Sequence, residues 1–218
     1  HINISKVGTL MSTIQVQHII TLIGLDLVII SLGYIYSKKE NSLAEALKLW
    51  LYTVVVGLIS TIICFLLTKK IDTNAIYSIF LPIIRNVSPV ITGVILSLIC
   101  YPFMKKINHR YLKWILLALL LLPTLSGIDS LGLSDGYSIS FTFILFYLGV
   151  IEASEEKRFS IISLILLCLM NVLCVTMMPL CSKIVHGDMS TALRFTTSTS
   201  FFEVMIAIYF IRLLRNVP

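Results

Sequence analysis

Polar and apolar positions along this chain fall into blocks. Long apolar runs are separated by short polar breaks. The runs cover about Ile19 to Tyr36, Ala44 to Leu67, Val90 to Met104, Tyr111 to Leu125, Tyr137 to Ile151, Phe159 to Leu180 and Phe195 to Leu214. Backbone groups in lipid have no partner outside a helix or a closed barrel. The period-two alternation of a barrel strand is missing, so each run is predicted to be a helix. The third, fourth and fifth runs are shorter than the roughly 20 residues of an ideal crossing. They cross with little tilt or with flanking side chains snorkelling. A smaller apolar stretch, Ile76 to Ile84, precedes Arg85-Asn86-Val87-Ser88-Pro89. Pro89 disfavours helix at Ser88, so 76–88 is predicted to be a short helix on, or dipping into, the outer leaflet.

Composition narrows the class. Of the 218 residues, 57% are hydrophobic and 13% charged, against about 25% charged in a soluble domain. Mean hydropathy is +0.97. A disordered or collagen-like chain is excluded, and residues 1–218 read as a single polytopic transmembrane bundle, all-α, with about seven helices and no room for a large soluble domain. The first residue is His and no signal peptide follows, so the chain reads as a piece of a longer protein.

The net charge of +6 carries no nucleic-acid motif with it. Its basic residues sit at run ends, where they set orientation. With the end of the first run inside, the inner side holds Lys38, Lys39, Lys48, Lys105, Lys106, Arg110, Lys113, Lys157, Arg158, Arg212 and Arg215, and the outer side holds Lys6, Lys69, Lys70, Arg85, Lys183 and Arg194. That bias predicts an outer start and an inner end, with the acidic loop Ser126 to Gly136 outside. Cys64, Cys100, Cys168 and Cys174 lie within apolar runs as small fillers and Cys181 lies at an edge. No C-x-x-C pair occurs, so neither a metal site nor a disulfide framework is expected.

Asp26 stands near the middle of the first run. A carboxylate there costs about 2.5–3.5 kcal/mol on insertion scales. It is either a substrate-cavity or proton-handling group, or a carboxylate that pins helices together. Gly24 and Gly33 on the same helix would permit close helix contact. His1, His18 and His186 fall on the predicted outer side, and histidine is the natural general base near neutral pH. His18 is eight residues from Asp26 and shares its helix face. Loop histidines are more often simply solvated, and His109 reads as a membrane-surface residue. Glu203 is placed to pair with Arg85 or Arg194. Lys48 is an inner anchor, or a contact for a phosphate-bearing donor.

The segment Gly24-Leu25-Asp26-Leu27-Val28-Ile29-Ile30-Ser31-Leu32-Gly33-Tyr34 resembles the second helix of the integral-membrane acyltransferase 3 family, close to G-V-D-L-F-F-V-I-S-G-Y. Gly24, Asp26, Leu27, Gly33 and Tyr34 match. Ser37-Lys38-Lys39 and Leu47-Lys48-Leu49-Trp50 look like the family's inner loop and the start of its next helix. Thr92, Pro102 and Phe103 match a second patch, in which Ser88-Pro89 replaces a Tyr-Trp pair. Phe146-Tyr147-Leu148-Gly149 is similar to its L-Y-L-I-G, and Thr197-Ser198 to Phe210 to its late helix.

This resemblance implies a membrane-bound acyltransferase. It would move an acyl group, commonly acetyl, from acyl-CoA to a hydroxyl of a cell-surface saccharide or lipid-linked glycan, in a bacterial plasma membrane. It implies a missing first helix, with His1 as the catalytic base. Asp26 and His18 would line the substrate cavity and Lys48 would meet the donor, no metal being required. The rival readings are a transporter or flippase of lipid-linked saccharide, and a non-catalytic relative.

Overall fold

In the computed structural model the described residues are 23–69, 77, 79, 88–126, 138–155, 160–186 and 201–216. They form seven helices: α1 Ile23–Tyr36, α2 Ser42–Thr68, α3 Pro89–Met104, α4 His109–Ser126, α5 Ile139–Ser154, α6 Ile161–His186 and α7 Phe201–Asn216. Each coincides with one apolar run, and no strand occurs among the described residues. Of the short 76–88 segment only Tyr77, Ile79 and Ser88 are described. Tyr77 and Ile79 are helical, and Ile79 packs on Gly57 of α2, 3.2 Å from where a Cβ would stand.

Local chemistry sets the helix starts. Asn41 Oδ1 accepts from the Ala44 amide at 3.1 Å to begin α2, and Ser138 Oγ accepts from Phe141 at 3.1 Å to begin α5. Both satisfy an amide the helix itself leaves unpaired. Pro89 opens α3 at its first position, where its missing N–H costs nothing. α2 ends at Lys69, which takes a left-handed conformation (φ 53°) and donates its amide to Phe65 O at 2.8 Å. A non-glycine residue adopts that geometry at some strain, and a cation at this terminus faces the negative end of the dipole.

Neighbour contacts give the directions. Gly33 lies against Phe146 and Gly149 against Ile30, while Ser37, four residues on, lines a pocket with Ala153 and Ser154. α1 and α5 therefore run parallel. Gly93 meets Thr142, and the Tyr147 hydroxyl donates to Ser97 O at 2.7 Å, so α3 runs the same way. α4 runs oppositely, since His109 meets Ser154 while Lys113 meets Glu152. Lys38, Lys39, Lys48, Lys105, Lys106, Arg110, Lys113, Arg212 and Arg215 consequently gather at one end, the end that the charge bias assigns to the inner side. The connection Ser126 to Gly136 lies beyond the described residues after Ser126 itself.

The core is centred on α5. Phe141, Leu145, Phe146, Tyr147, Leu148 and Ile151 are fully buried, with Leu98 of α3, Ile29 and Ile30 of α1 and Ala207 of α7 around them. Phe143, Phe146 and Tyr147 contact one another edge-on or tilted, at centroid separations of 4.6 and 5.7 Å. Tyr147→Phe removes only the donor to Ser97 O, and is expected to cost about 0.5–1.5 kcal/mol, read as a lowered thermal midpoint in detergent.

The outer shell has the reverse of a soluble protein's pattern. Val55, Val56, Ile59, Ile62, Ile63, Leu66 and Leu67 of α2 are exposed, as are Ile161, Ile162, Ile165, Leu166 and Leu169 of α6. Patches of that size mark a surface meant for something other than water. α2, with 27 residues, is the one helix among the described residues long and apolar enough to cross a membrane by length and composition. α1, α3 and α5 are apolar but shorter, and α3 and α5 have 16 residues each.

Candidate functional site

Two polar regions stand out, one inside the bundle and one at its inner end. The first begins with Asp26. It is 0% exposed, although it lies in the first described turn of α1. Ten residues separate it from Tyr36, at the end of α1 where the basic residues gather, a rise of about 15 Å. Glu203 on α7 is also 0% exposed. None of the four carboxylate oxygens has a hydrogen-bond partner among the described residues. Arg85 and Arg194, the partners expected for Glu203, lie outside the described residues, as do His1 and His18. His186 is the last residue of α6.

The two glycines part company. A Cβ on Gly33 would overlap the Phe146 carbonyl, whereas Gly24 is exposed with nothing within 4 Å. The expected close helix contact is therefore made by Gly33 alone. Its counterpart is Gly149, where a Cβ would overlap the Ile30 carbonyl.

At the inner end, a cavity of about 250 Å³ is lined by Ser37, Lys38, Tyr101, Lys105, His109 and Ser154, together with Val150 and Ala153. No carboxylate lines it. Its frame is hydrogen-bonded: Tyr101 Oη donates to Ser37 O at 3.2 Å, and Ser37 Oγ donates to Tyr34 O at 2.7 Å. Lys38 Nζ stands 4.5 Å from the centre of the Tyr34 ring, a cation–π contact. Ser154 Oγ donates its only proton to Ile151 O at 2.7 Å, so its 2.8 Å contact with His109 Nδ1 has the imidazole as donor. Two ammonium groups, with no carboxylate among the lining residues, make this cavity cationic.

Beside this cavity is a charge network that ties α4, α5 and α7 together. Glu152, with its side chain 3% exposed, accepts Lys113 Nζ at 2.6 Å and a bidentate pair from Arg212, Nε at 2.7 Å and Nη2 at 2.6 Å. Glu155 accepts Lys113 Nζ at 2.7 Å, and Arg215 Nη1 donates to the Glu155 carbonyl at 2.8 Å. Those last carbonyls of α5 have no intrahelical donor. Glu152 and Glu155 are thus engaged by Lys113 and Arg212, and neither lines the neighbouring cavity.

Lys48 does not join the cavity. It pairs with Glu45 at 2.9 Å one turn away, its side chain 62% exposed. The cations at the cavity are Lys38 and Lys105, and the imidazole is His109, which had read only as a surface residue. Glu152 and Glu155 went unweighed in the sequence. The available signal was two carboxylates one helical turn apart at the polar end of an apolar run.

No family model matches the chain, nor does any curated protein or solved structure. The resemblance to the acyltransferase 3 family thus stands on the residues that carry it.

Proposed function

We propose that this chain is the membrane bundle of an O-acyltransferase that takes an acyl group from acyl-CoA at its inner end and passes it to a saccharide hydroxyl at or beyond the outer face. The bundle would be multi-pass, with the exposed apolar faces of α2 and α6 against lipid. The observation that carries the reading is the inner cavity: Lys38, Lys105 and His109 with no lining carboxylate, a surface suited to the phosphates of a nucleotide-bearing donor. The matching residues Gly24, Asp26, Leu27, Gly33 and Tyr34 supply the acyl-transfer part.

The chemistry follows from the groups. A base, for which His1 is the proposed residue, takes the proton of the acceptor hydroxyl. The oxygen attacks the thioester carbonyl, the carbon–sulfur bond breaks, and the CoA thiolate leaves and is protonated. Holding donor and acceptor in one water-poor bundle replaces a bimolecular encounter by a positioned one.

The test uses membranes carrying the full-length protein, supplied with acetyl-labelled acetyl-CoA. Label is expected in the glycan fraction. Lys38→Glu with Lys105→Glu should reduce it at least about tenfold, through a raised KM for the donor. Replacing His1 should abolish transfer while insertion is unchanged. Donor binding without transfer in the intact protein would overturn the enzyme and favour transport of a lipid-linked saccharide, a reading that the buried Asp26 also suits.

A further inference from the structure

We propose that the cleft between α2 and α3 at the inner end binds one phospholipid with an anionic headgroup, an acyl chain lying in the cleft and the headgroup facing the lysines at its mouth. The inference rests on the membrane reading of the bundle and not on acyl transfer, and the donor cavity plays no part in it.

The cleft has a volume of about 300 Å³ and is lined by Leu43, Ala46, Leu47 and Trp50 of α2 and by Ile95 and Ile99 of α3. Ala46 and Ile95 are buried and form its floor, while Leu43, Leu47 and Ile99 are exposed and form its walls. The indole N–H of Trp50 is the one polar side-chain group among the six. Water there would find too few partners to settle, so the natural occupant is apolar. Leu43 to Trp50 is a rise of about 10 Å, about two-thirds of the roughly 15 Å that the hydrocarbon of one leaflet spans. From Leu47 the exposed line continues along α2 through Leu51, Val55, Leu58 and Ile62 at helical spacing, so the cleft opens onto the face assigned to lipid. A partner helix is about 10–12 Å across with its side chains, and a 10 Å length of it fills roughly 800 Å³. That is more than twice the cleft, whereas an extended acyl chain is slender enough to enter.

Charge selects the kind of lipid. α2 begins and α3 ends at the inner mouth of the cleft. Lys39 stands in the turn four residues ahead of Leu43, its amide bonded to Tyr36 O at 3.0 Å. Lys105 and Lys106 follow the last turn of α3, their amides bonded back to Tyr101 O at 2.9 Å and Phe103 O at 3.2 Å. Lys48 is next to Leu47 on α2, and all four lysines are exposed. The acids of these two stretches are Glu40 and Glu45, and Glu45 is taken by Lys48 at 2.9 Å. Lys39, Lys105 and Lys106 therefore set the sign of the mouth. Each cation near the bilayer surface favours an anionic lipid by about fivefold.

The chain carries its own probe. Its two tryptophans are Trp50 and Trp114, and Trp50 lines the cleft, so Trp114→Phe leaves one fluorophore at the site. The full chain with that change is reconstituted in vesicles of phosphatidylcholine and phosphatidylglycerol, with one lipid or the other brominated on its acyl chains. Bromine quenches indole fluorescence at contact. Brominated phosphatidylglycerol, as the minor component, is expected to quench Trp50 with at least about fivefold the apparent affinity of brominated phosphatidylcholine in the reverse mixture. Lys39→Gln with Lys106→Gln should make the two lipids about equal while quenching persists. Leu47→Phe with Ile99→Phe fills the cleft from its exposed walls and should abolish the preference. Equal quenching of the parent chain by both lipids would overturn the site, leaving unselective contact with the bilayer. No quenching by either would overturn it in favour of a protein occupant, a second copy or another stretch of this chain. A preference that survives the cleft-filling pair would overturn the cleft as its source. Failure of the chain to float with the vesicles on a density gradient would remove the membrane reading itself, a result distinct from the other three.

Discussion

Replacing Glu152 by alanine is expected to destabilise the bundle by about 3–5 kcal/mol, the largest effect of any single change at the inner end. The reason is what remains. Glu152 is the acceptor for both Lys113 and Arg212, and all three side chains are 13% exposed or less. Removing the carboxylate leaves two cations in a site shaped for three charges. Glu155, 20% exposed, already takes Lys113 at 2.7 Å and reaches Arg212 only at 3.8 Å. Arg215 still holds the Glu155 carbonyl at 2.8 Å, so α7 keeps that one tie to the end of α5 while losing the bidentate one. A thermal melt of the purified chain in detergent, followed by thiol labelling of the half-buried Cys100 and Cys168, gives the shift. The paired variant Glu152→Leu with Arg212→Leu should recover most of the loss, because removing both charges leaves no orphan. A loss below about 1 kcal/mol for Glu152→Ala would make this an ordinary surface pair.

The second large effect is expected at the crossing of α1 and α5. Gly33 and Gly149 face each other there, and a Cβ on either would collide with a carbonyl of the opposite helix. Side-chain overpacking in a core typically costs about 1–3 kcal/mol. Here the obstacle is backbone, which has no rotamer to turn aside, so Gly33→Ala and Gly149→Ala should each reach or exceed the top of that range. The whole of α1 would have to move away, and with it Ser37 and Lys38 at the inner cavity. Gly24→Ala is the control. With nothing within 4 Å, it should be neutral or stabilise by up to about 1 kcal/mol, the helix-propensity difference between the two residues. Equal melting points for Gly33→Ala and Gly24→Ala would remove the helix crossing from the account.

How far the sequence reached differs from element to element. All seven helices coincide with its apolar runs, because a helix that packs in a bundle or faces lipid must be apolar along its length, and that is a one-dimensional property. The ends of α3 and α2 were legible in Pro89 and in the polar break before Ala44, since caps and prolines act locally. The described basic residues that counting placed on one side do lie at one end of the bundle, because alternating helices send every second break to the same end. Asp26 was conspicuous as an acid in an apolar run.

The partners of these residues were another matter. Glu203 is buried with no hydrogen-bond partner among the described residues, and Arg85 and Arg194, expected to pair with it, lie outside them. Lys48 looked like the donor contact because it stands in a basic neighbourhood, yet its place on α2 lets it reach Glu45 and not the cavity. His109 looked like a surface residue, and the antiparallel docking of α4 on α5 turned its imidazole onto Ser154. Gly24 and Gly33 are alike in the sequence and unlike in the fold.

What the chain determines alone is hydrophobic length, orientation and the places where a charge is out of keeping with its surroundings, all of which depend on neighbours along the backbone. Which charge answers which, and which glycine carries a crossing, depends on rotation of each helix about its own axis. That rotation is settled only when the helices compete for the same core around α5, so the pairing Glu152 to Arg212 and the cavity beside it belong to the tertiary structure.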